Sequence, residues 1–389
     1  MKYLLQENRL FTVISYAVFV LMLGFVLSPK TIVLDVLFVM FILLPFPWVA
    51  KVLYQKTEVF KHPLFLFMVL FFAYYALSAA WTPQAYVSTE WFKPLVYGIL
   101  ILMFCSALAF MNLNSPQLFD KMLTWLIYAA AFAALLSILN WYNYSDGKFG
   151  TRLRGITRAH QSIQGAACFG LVFLLTLVKM HGPIPRLQKM LFALCAFVCF
   201  AFVVLAQTRG ILVAMAGGTL ILFIVRREIK PLIYLLLLAL LVIGLSFFWL
   251  DWSVLLERLS RSMPYRMEAW LTLFFKSLDA PWFGHGALYT QVITISNSVL
   301  PHAHNVYLGT FFLSGLVGLC LYSIMVLCAL YYAFMNRAHD TYLFALIGVI
   351  FSGIAMLTDV GTVIIGISDL WFYLWFPIGI ILSTPRIAR

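Results

Sequence analysis

Histidine and arginine gather at a few places in this chain of 389 residues, and their types limit the chemistry they can do. His302-Ala303-His304-Asn305 opens a long apolar run, and upstream lie Arg266 and Trp270, four residues apart. Thr208-Arg209-Gly210 interrupts another apolar stretch, Arg152, Arg154 and Arg158 share one short segment, and Lys93 begins a further run. Histidine is the side chain whose unperturbed pKa suits taking a proton at neutral pH. Arginine cannot be deprotonated to escape burial, and its planar fork matches phosphate oxygens. Several such cations near a membrane suggest an anionic ligand at that interface, with histidine available to move a proton beside it.

Each residue also has a plainer use. Arginines at a membrane boundary snorkel to lipid phosphates or pair with acids such as Asp146, Asp251, Glu257, Glu268 and Asp279, a reading that fits Arg258, Arg261 and Lys276 as well as ligand binding does. Arg209 is different, because a cation at a helix start opposes the helix dipole and so calls for an anion beside it. Lys93 is open to both readings. A histidine at a helix mouth is often a cap, and His302 and His285 compete with His304 for the role of base. Trp270, Trp282 and Tyr289 suit sugar stacking, but aromatics at a bilayer surface are ordinarily belt residues. Asp35, Asp359 and Asp369 fit either a proton relay or pairing with the arginines.

The elements that must position these residues are membrane helices. Apolar residues make up 64% of the chain and charged residues 10%, against roughly 45–50% and 25% in a soluble domain. Runs long enough to cross a bilayer recur near 10–27, 31–50, 62–80, 92–111, 122–141, 164–180, 188–207, 209–225, 231–250, 304–335, 341–358 and 361–383, which predicts an all-α polytopic membrane protein of about twelve transmembrane helices. Residues 1–250 would hold nine of them, 251–303 a large outward loop between helices 9 and 10, and 304–389 the last three. Lys and Arg in the short connections favour both termini inside the cell. The first run follows Lys2 and Arg9 without a convincing cleavage site, and reads as a retained helix. The net charge of +12 is scattered between apolar runs, which argues against nucleic acid as a partner. All six cysteines fall inside apolar runs, so no disulfide framework is expected. The outward segments carry no acidic cluster of the kind that holds Mg²⁺, and no cofactor is expected.

The motifs in their order resemble the O-antigen ligase family and its relatives, the O-antigen polymerases and protein O-oligosaccharyltransferases. The resemblance rests on Arg266 and Trp270, Gly284 and Gly286, His304-Asn305 opening a helix that continues Gly315-Leu316-Val317-Gly318, and Thr208-Arg209-Gly210. It implies a bacterial inner-membrane enzyme that moves O-antigen from undecaprenyl pyrophosphate to a sugar hydroxyl of lipid A-core at the periplasmic face. It also implies His304 as base, with Arg266 and Arg209 at the diphosphate. Arg152 or Arg154, Lys93, Asn305, Trp270 and His302 are the remaining candidates for substrate contact. Direct attack on the anomeric carbon would invert its configuration.

Two other functions fit parts of the sequence. An O-antigen polymerase would use the same donor with a second lipid-linked glycan as acceptor. A secondary transporter of an anionic or lipid-linked substrate would account for the spans and the membrane aspartates, but no repeated pair of Gly/Pro-broken spans supports it.

Overall fold

A computed structural model describes residues 2–28, 30–56, 59–83, 91–145, 151–156, 161–228, 230, 266–295, 298–300 and 302–385. These residues are mostly helical. The chain runs through α1 (Lys2–Leu27), α2 (Thr31–Phe38), α3 (Phe46–Lys56), α4 (Pro63–Leu77), α5 (Lys93–Asn114), α6 (Pro116–Ser145), α7 (Ser162–Met180), α8 (Arg186–Leu205) and α9 (Arg209–Arg226). After residues 231–265, which are outside the described set, come α10 (266–277), α11 (Val306–Met335), α12 (Asp340–Ala355) and α13 (Phe376–Ile381). The strands among the described residues are β1 (Ile293–Ile295) and β2 (Ser298–Leu300), an antiparallel hairpin before α11.

Seven of the described helices are long and apolar enough to cross a membrane, eight if a bent pair counts as one span, and three shorter apolar helices accompany them. The expected ninth span, 231–250, lies outside the described residues, as do Arg158, His160, Arg258 and Arg261. The expected boundary at Gln207 is a tight turn with Gln207 at φ +54°, after which α9 begins at Arg209.

Two expected spans are not continuous helices. The run 31–50 passes from α2 through a π turn at Val39–Leu43 and then bends by 45° into α3. Pro45 and Pro47 cause the break, since neither has an N–H to continue the ladder. The run 361–383 is helical only toward its end, as a π turn at Trp371–Trp375 followed by α13. Before it, residues 356–368 form an irregular connection after α12. Trp371, Tyr373, Trp375 and Phe376 are each at most 1% exposed. This last segment is therefore the central strut of the bundle, a helix buried on all faces.

Small residues let neighbouring helices approach. A Cβ on Gly218 would stand 2.7 Å from Leu174 of α7 and 3.1 Å from Ile347 of α12, so α9 packs closely on both.

The described part of the loop before α11 is not simply a polar cap. Residues 281–286 are inserted into a break in α11, where Gly315 adopts φ +64°. Leu316 and Val317 donate their N–H groups to the carbonyls of Pro281 (2.8 Å) and Trp282 (3.2 Å), while His285 and Gly286 donate theirs to Phe312 and Leu313 (both 2.9 Å). Gly315 is the tenth residue of α11, about 15 Å along its axis at 1.5 Å per residue, so this segment descends beside the helix. Irregular backbone is tolerated at such a depth when protein supplies its hydrogen bonds, as it does here.

Candidate active site

The site is built where four irregular segments meet the ends of the helices. The first is the turn before α11. Asn305 caps that helix, its Oδ1 accepting the Leu308 N–H at 3.1 Å, and Val306 donates to the Met356 carbonyl at 3.1 Å. Trp270 of α10 donates its indole N–H to the Ala303 carbonyl at 2.9 Å, tying the Arg266 helix to the histidine turn. The structure thus gives Asn305 and Trp270 polar contacts within the protein, as cap and tether, where their sequence positions suggest contact with substrate.

The second segment is the connection 356–368. Gly309 of α11 lies against it, since a Cβ there would fall 1.8 Å from the Gly361 carbonyl oxygen. On its other side Gly210 of α9 lies against Thr358, where a Cβ would meet Oγ1 at 2.1 Å. The glycine of Thr-Arg-Gly is therefore a packing requirement. It brings the start of α9, with Arg209, next to the residue before Asp359. The third segment is the loop before α7, held by Leu153, whose N–H donates to the Leu205 carbonyl at 3.1 Å, and by Ile156 donating to Ser137 Oγ at 3.2 Å. This loop carries Arg152 and Arg154, both exposed, to the α8–α9 turn. The fourth is the hairpin region 287–291.

The histidine turn, the 356–368 connection and the 287–291 region, with the starts of α5 and α7, line a cavity of about 520 Å³ whose wall includes Lys93, His302, His304 and Asp359 together with uncharged polar side chains from Tyr97, Gln161, Gln164 and Gln291; Arg152, Arg209 and Arg266 are not among its lining residues. Arg266 stands close enough to act on His304 electrostatically. Burial, then the charge of Arg152, then that of Arg209 push the Arg266 guanidinium below its ordinary value, while Asp359 offsets part of this. Arg152, rather than Arg154, is thus the loop arginine coupled to Arg266. Among the described residues, none of Arg152, Arg209 and Arg266 is in a salt bridge. Among the described residues Asp359 is the one carboxylate that acts on Arg266, so the positive charge of Arg266, Arg152 and Arg209 suits an added anion.

His304 sits at φ +51°, and its Nδ1 is buried without a hydrogen-bond partner. Burial pushes its imidazole down to about 4, helped by His302 and by Arg266. The ring is therefore neutral at physiological pH and able to accept a proton. Asp359 is 6% exposed, and burial raises its carboxyl to about 6 in spite of the Val360 N–H, the Tyr373 hydroxyl and Arg266. His285, the other candidate base, has its Nε2 on the Lys276 carbonyl at 2.9 Å and its ring against Phe312 at 4.5 Å, off the cavity wall.

Residues 194–323 match the protein-family model described as O-Antigen ligase. The chain resembles the O-antigen ligases. It is 26% identical over 328 residues to a protein named O-antigen ligase from Pseudomonas aeruginosa, a match covering 82% of this chain and 77% of that one. The stretch similar to the ligase model spans Arg209, Arg266, Trp270, both glycines of Gly284-His285-Gly286 and the histidine turn. Lys93, Arg152 and Asp359 lie outside it, and only the fold brings them to the same place.

Sequence reasoning does not single out Tyr97, Gln164 and Gln291 as wall residues. A signal exists for Tyr97, four positions after Lys93 and so on the same face of α5, and for Gln164, three after Gln161 at the start of α7. Nothing local marks Gln291.

Proposed function

We propose that the chain transfers a glycan from undecaprenyl pyrophosphate to a sugar hydroxyl of lipid A-core, at the outer face of the bacterial inner membrane, with both termini in the cytoplasm. The observation that carries this reading is a neutral, half-buried histidine on a cavity wall with Arg266 near enough to act on it, and with Arg152 and Arg209 near enough to act on Arg266. Arg266, Arg209 and Arg152 bind the donor diphosphate, and Lys93 on the cavity wall adds a fourth positive charge. The acceptor oxygen attacks the anomeric carbon. Its proton passes to His304 as the bond from that carbon to the diphosphate oxygen breaks, and the electron pair leaves with undecaprenyl pyrophosphate. One displacement inverts the anomeric centre.

The field of the arginines serves both halves of this step. It offsets the charge that accumulates on the leaving diphosphate, where preorganised donors do most for a transition state. Arg266 also adds to burial and to His302 in holding His304 below its ordinary value. Docking of a diphosphate against Arg266 cancels part of that effect, so the histidine becomes a stronger base when the donor is in place. The amide and hydroxyl groups of Gln161, Gln164, Gln291 and Tyr97 suit sugar hydroxyls, which need neutral hydrogen-bonding partners.

Purified protein in proteoliposomes, supplied with undecaprenyl-pyrophosphate-linked O-antigen and lipid A-core, should give a ligated lipopolysaccharide with inverted linkage. Longer lipid-linked chains without ligated product would make the protein a polymerase instead. Retained configuration would exclude a single displacement.

A further inference from the structure

The histidine turn contains a second histidine for which this mechanism has no step. His302 lies two residues before His304, and its Nδ1 accepts the His304 backbone N–H at 3.2 Å. The two rings meet edge to face with centroids 4.2 Å apart. A ring nitrogen that accepts from a backbone N–H carries no proton, so the His302 proton is on Nε2. Burial pushes His302 below the ordinary histidine value, which keeps it in this accepting form.

The bond addresses a particular difficulty. His304 is one of four non-glycine residues at positive φ among the described residues, a conformation that costs an L-residue about 1–3 kcal/mol and persists only where its surroundings over-determine it. On the downstream side Asn305 supplies that determination by capping α11. The upstream side is held by Trp270 at the Ala303 carbonyl and by His302 at the His304 N–H. A side chain bonding the backbone N–H two residues on is the geometry of an Asx turn, with imidazole in place of an amide oxygen. The neighbouring connection makes room for the ring. A Cβ on Gly361 would stand 2.7 Å from His302 Cβ and 3.0 Å from Cγ.

We propose that His302 is a positioning residue, whose ring accepts the His304 backbone N–H and so holds His304 in the left-handed turn that places its imidazole on the cavity wall. The proposal rests on the reading of His304 as the base. The two histidines then have separate roles. His304 takes the proton from the acceptor, and His302, also on the cavity wall, acts through the backbone of His304.

The test uses the full-length protein in proteoliposomes with lipid-linked O-antigen and lipid A-core. His302→Leu keeps the bulk and removes the acceptor, and should lower kcat roughly 10- to 100-fold with KM for both substrates within about twofold, since a small misplacement of a reacting group costs about that much. His302→Asn restores an Asx turn and should return kcat to within about threefold of wild type. His302→Gln, whose amide sits one methylene too far out, should behave like His302→Leu and replaces it if that variant does not accumulate. Wild-type kcat in both His302→Leu and His302→Gln would overturn the proposal, as would an Asn variant as slow as Leu, because the imidazole itself would then be required. His304→Ala separates this from the underlying reading: if it remains fully active, His304 is not the base, whatever His302 does.

Discussion

Replacing Gly284 by Ala tests whether the Gly-x-Gly motif is an architectural joint. Gly284 has φ +72°, and a Cβ there would lie 2.5 Å from Leu313 C, Ser314 N and Gly315 N, all backbone atoms. Backbone cannot rotate away as a side chain can, so either the 281–286 segment or α11 must move. The left-handed conformation alone costs Ala about 1–2 kcal/mol. Withdrawal of the segment breaks four backbone hydrogen bonds, from Leu316, Val317, His285 and Gly286, each with a net value of about 0.5–1.5 kcal/mol. Together these give about 3–8 kcal/mol if the whole interlock opens, and the low end if it only shifts. Gly284→Ala should lower the thermal unfolding midpoint in detergent. It should also reduce transfer, because the same segment leads back through the His285 contact with Lys276 to α10 and Arg266. Gly315→Ala strikes the joint from the other side, its Cβ 2.3 Å from the Trp282 carbonyl oxygen. The double variant should therefore cost less than the sum of the two. A Gly284→Ala protein with wild-type midpoint and rate, or strictly additive costs, would refute this account.

The pH dependence follows from His304 near 4. A base works unprotonated, so kcat/KM should be level through neutral pH and fall as the pH drops through about 4. Arg266 is one of three causes of that depression, so Arg266→Gln should move the acid limb upward; a limb that stays in place or moves down would contradict the coupling. An Asp359→Asn background removes the carboxyl that titrates near 6 and would blur this limb. Asn305→Ala should lower stability by about 0.5–2 kcal/mol through loss of the α11 cap while KM stays unchanged; a raised KM at unchanged stability would return Asn305 to the substrate. Arg152→Ala should raise donor KM several-fold more than Arg154→Ala, and equal effects would mean that coupling to Arg266 does not report diphosphate binding.

The class of the protein was legible from its sequence because lipid leaves little choice. A chain this apolar must satisfy its backbone inside helices, and hydropathy marks them. The resemblance to the O-antigen ligases was legible for a related reason: its motifs are local strings, and the ligase-like match at 194–323 covers the same strings. The turn at Gln207 was marked by polar residues within an apolar run. The breaks at Pro45 and along 356–368 were hidden, since the apolar content that suggests a span does not reveal where its ladder is interrupted.

Which residues meet was decided by tertiary structure alone. Lys93, Arg152, Arg209, Arg266, His304 and Asp359 are spread over more than two thirds of the chain. Their assembly depends on backbone contacts that hydropathy and local motifs do not show, such as Gly210 on Thr358, Gly309 on Gly361 and Leu153 on Leu205. The same fold gives partners that residue type left open. Asn305 and Trp270 are equally suited by type to a sugar or to the backbone, and the fold gives each a backbone partner, Leu308 and Ala303. Sequence set the chemistry this protein can perform, because side-chain type fixes charge and proton affinity within limits. The fold narrows those possibilities, because burial and neighbouring charge shift proton affinity, lowering that of His302 and His304 and of Arg266.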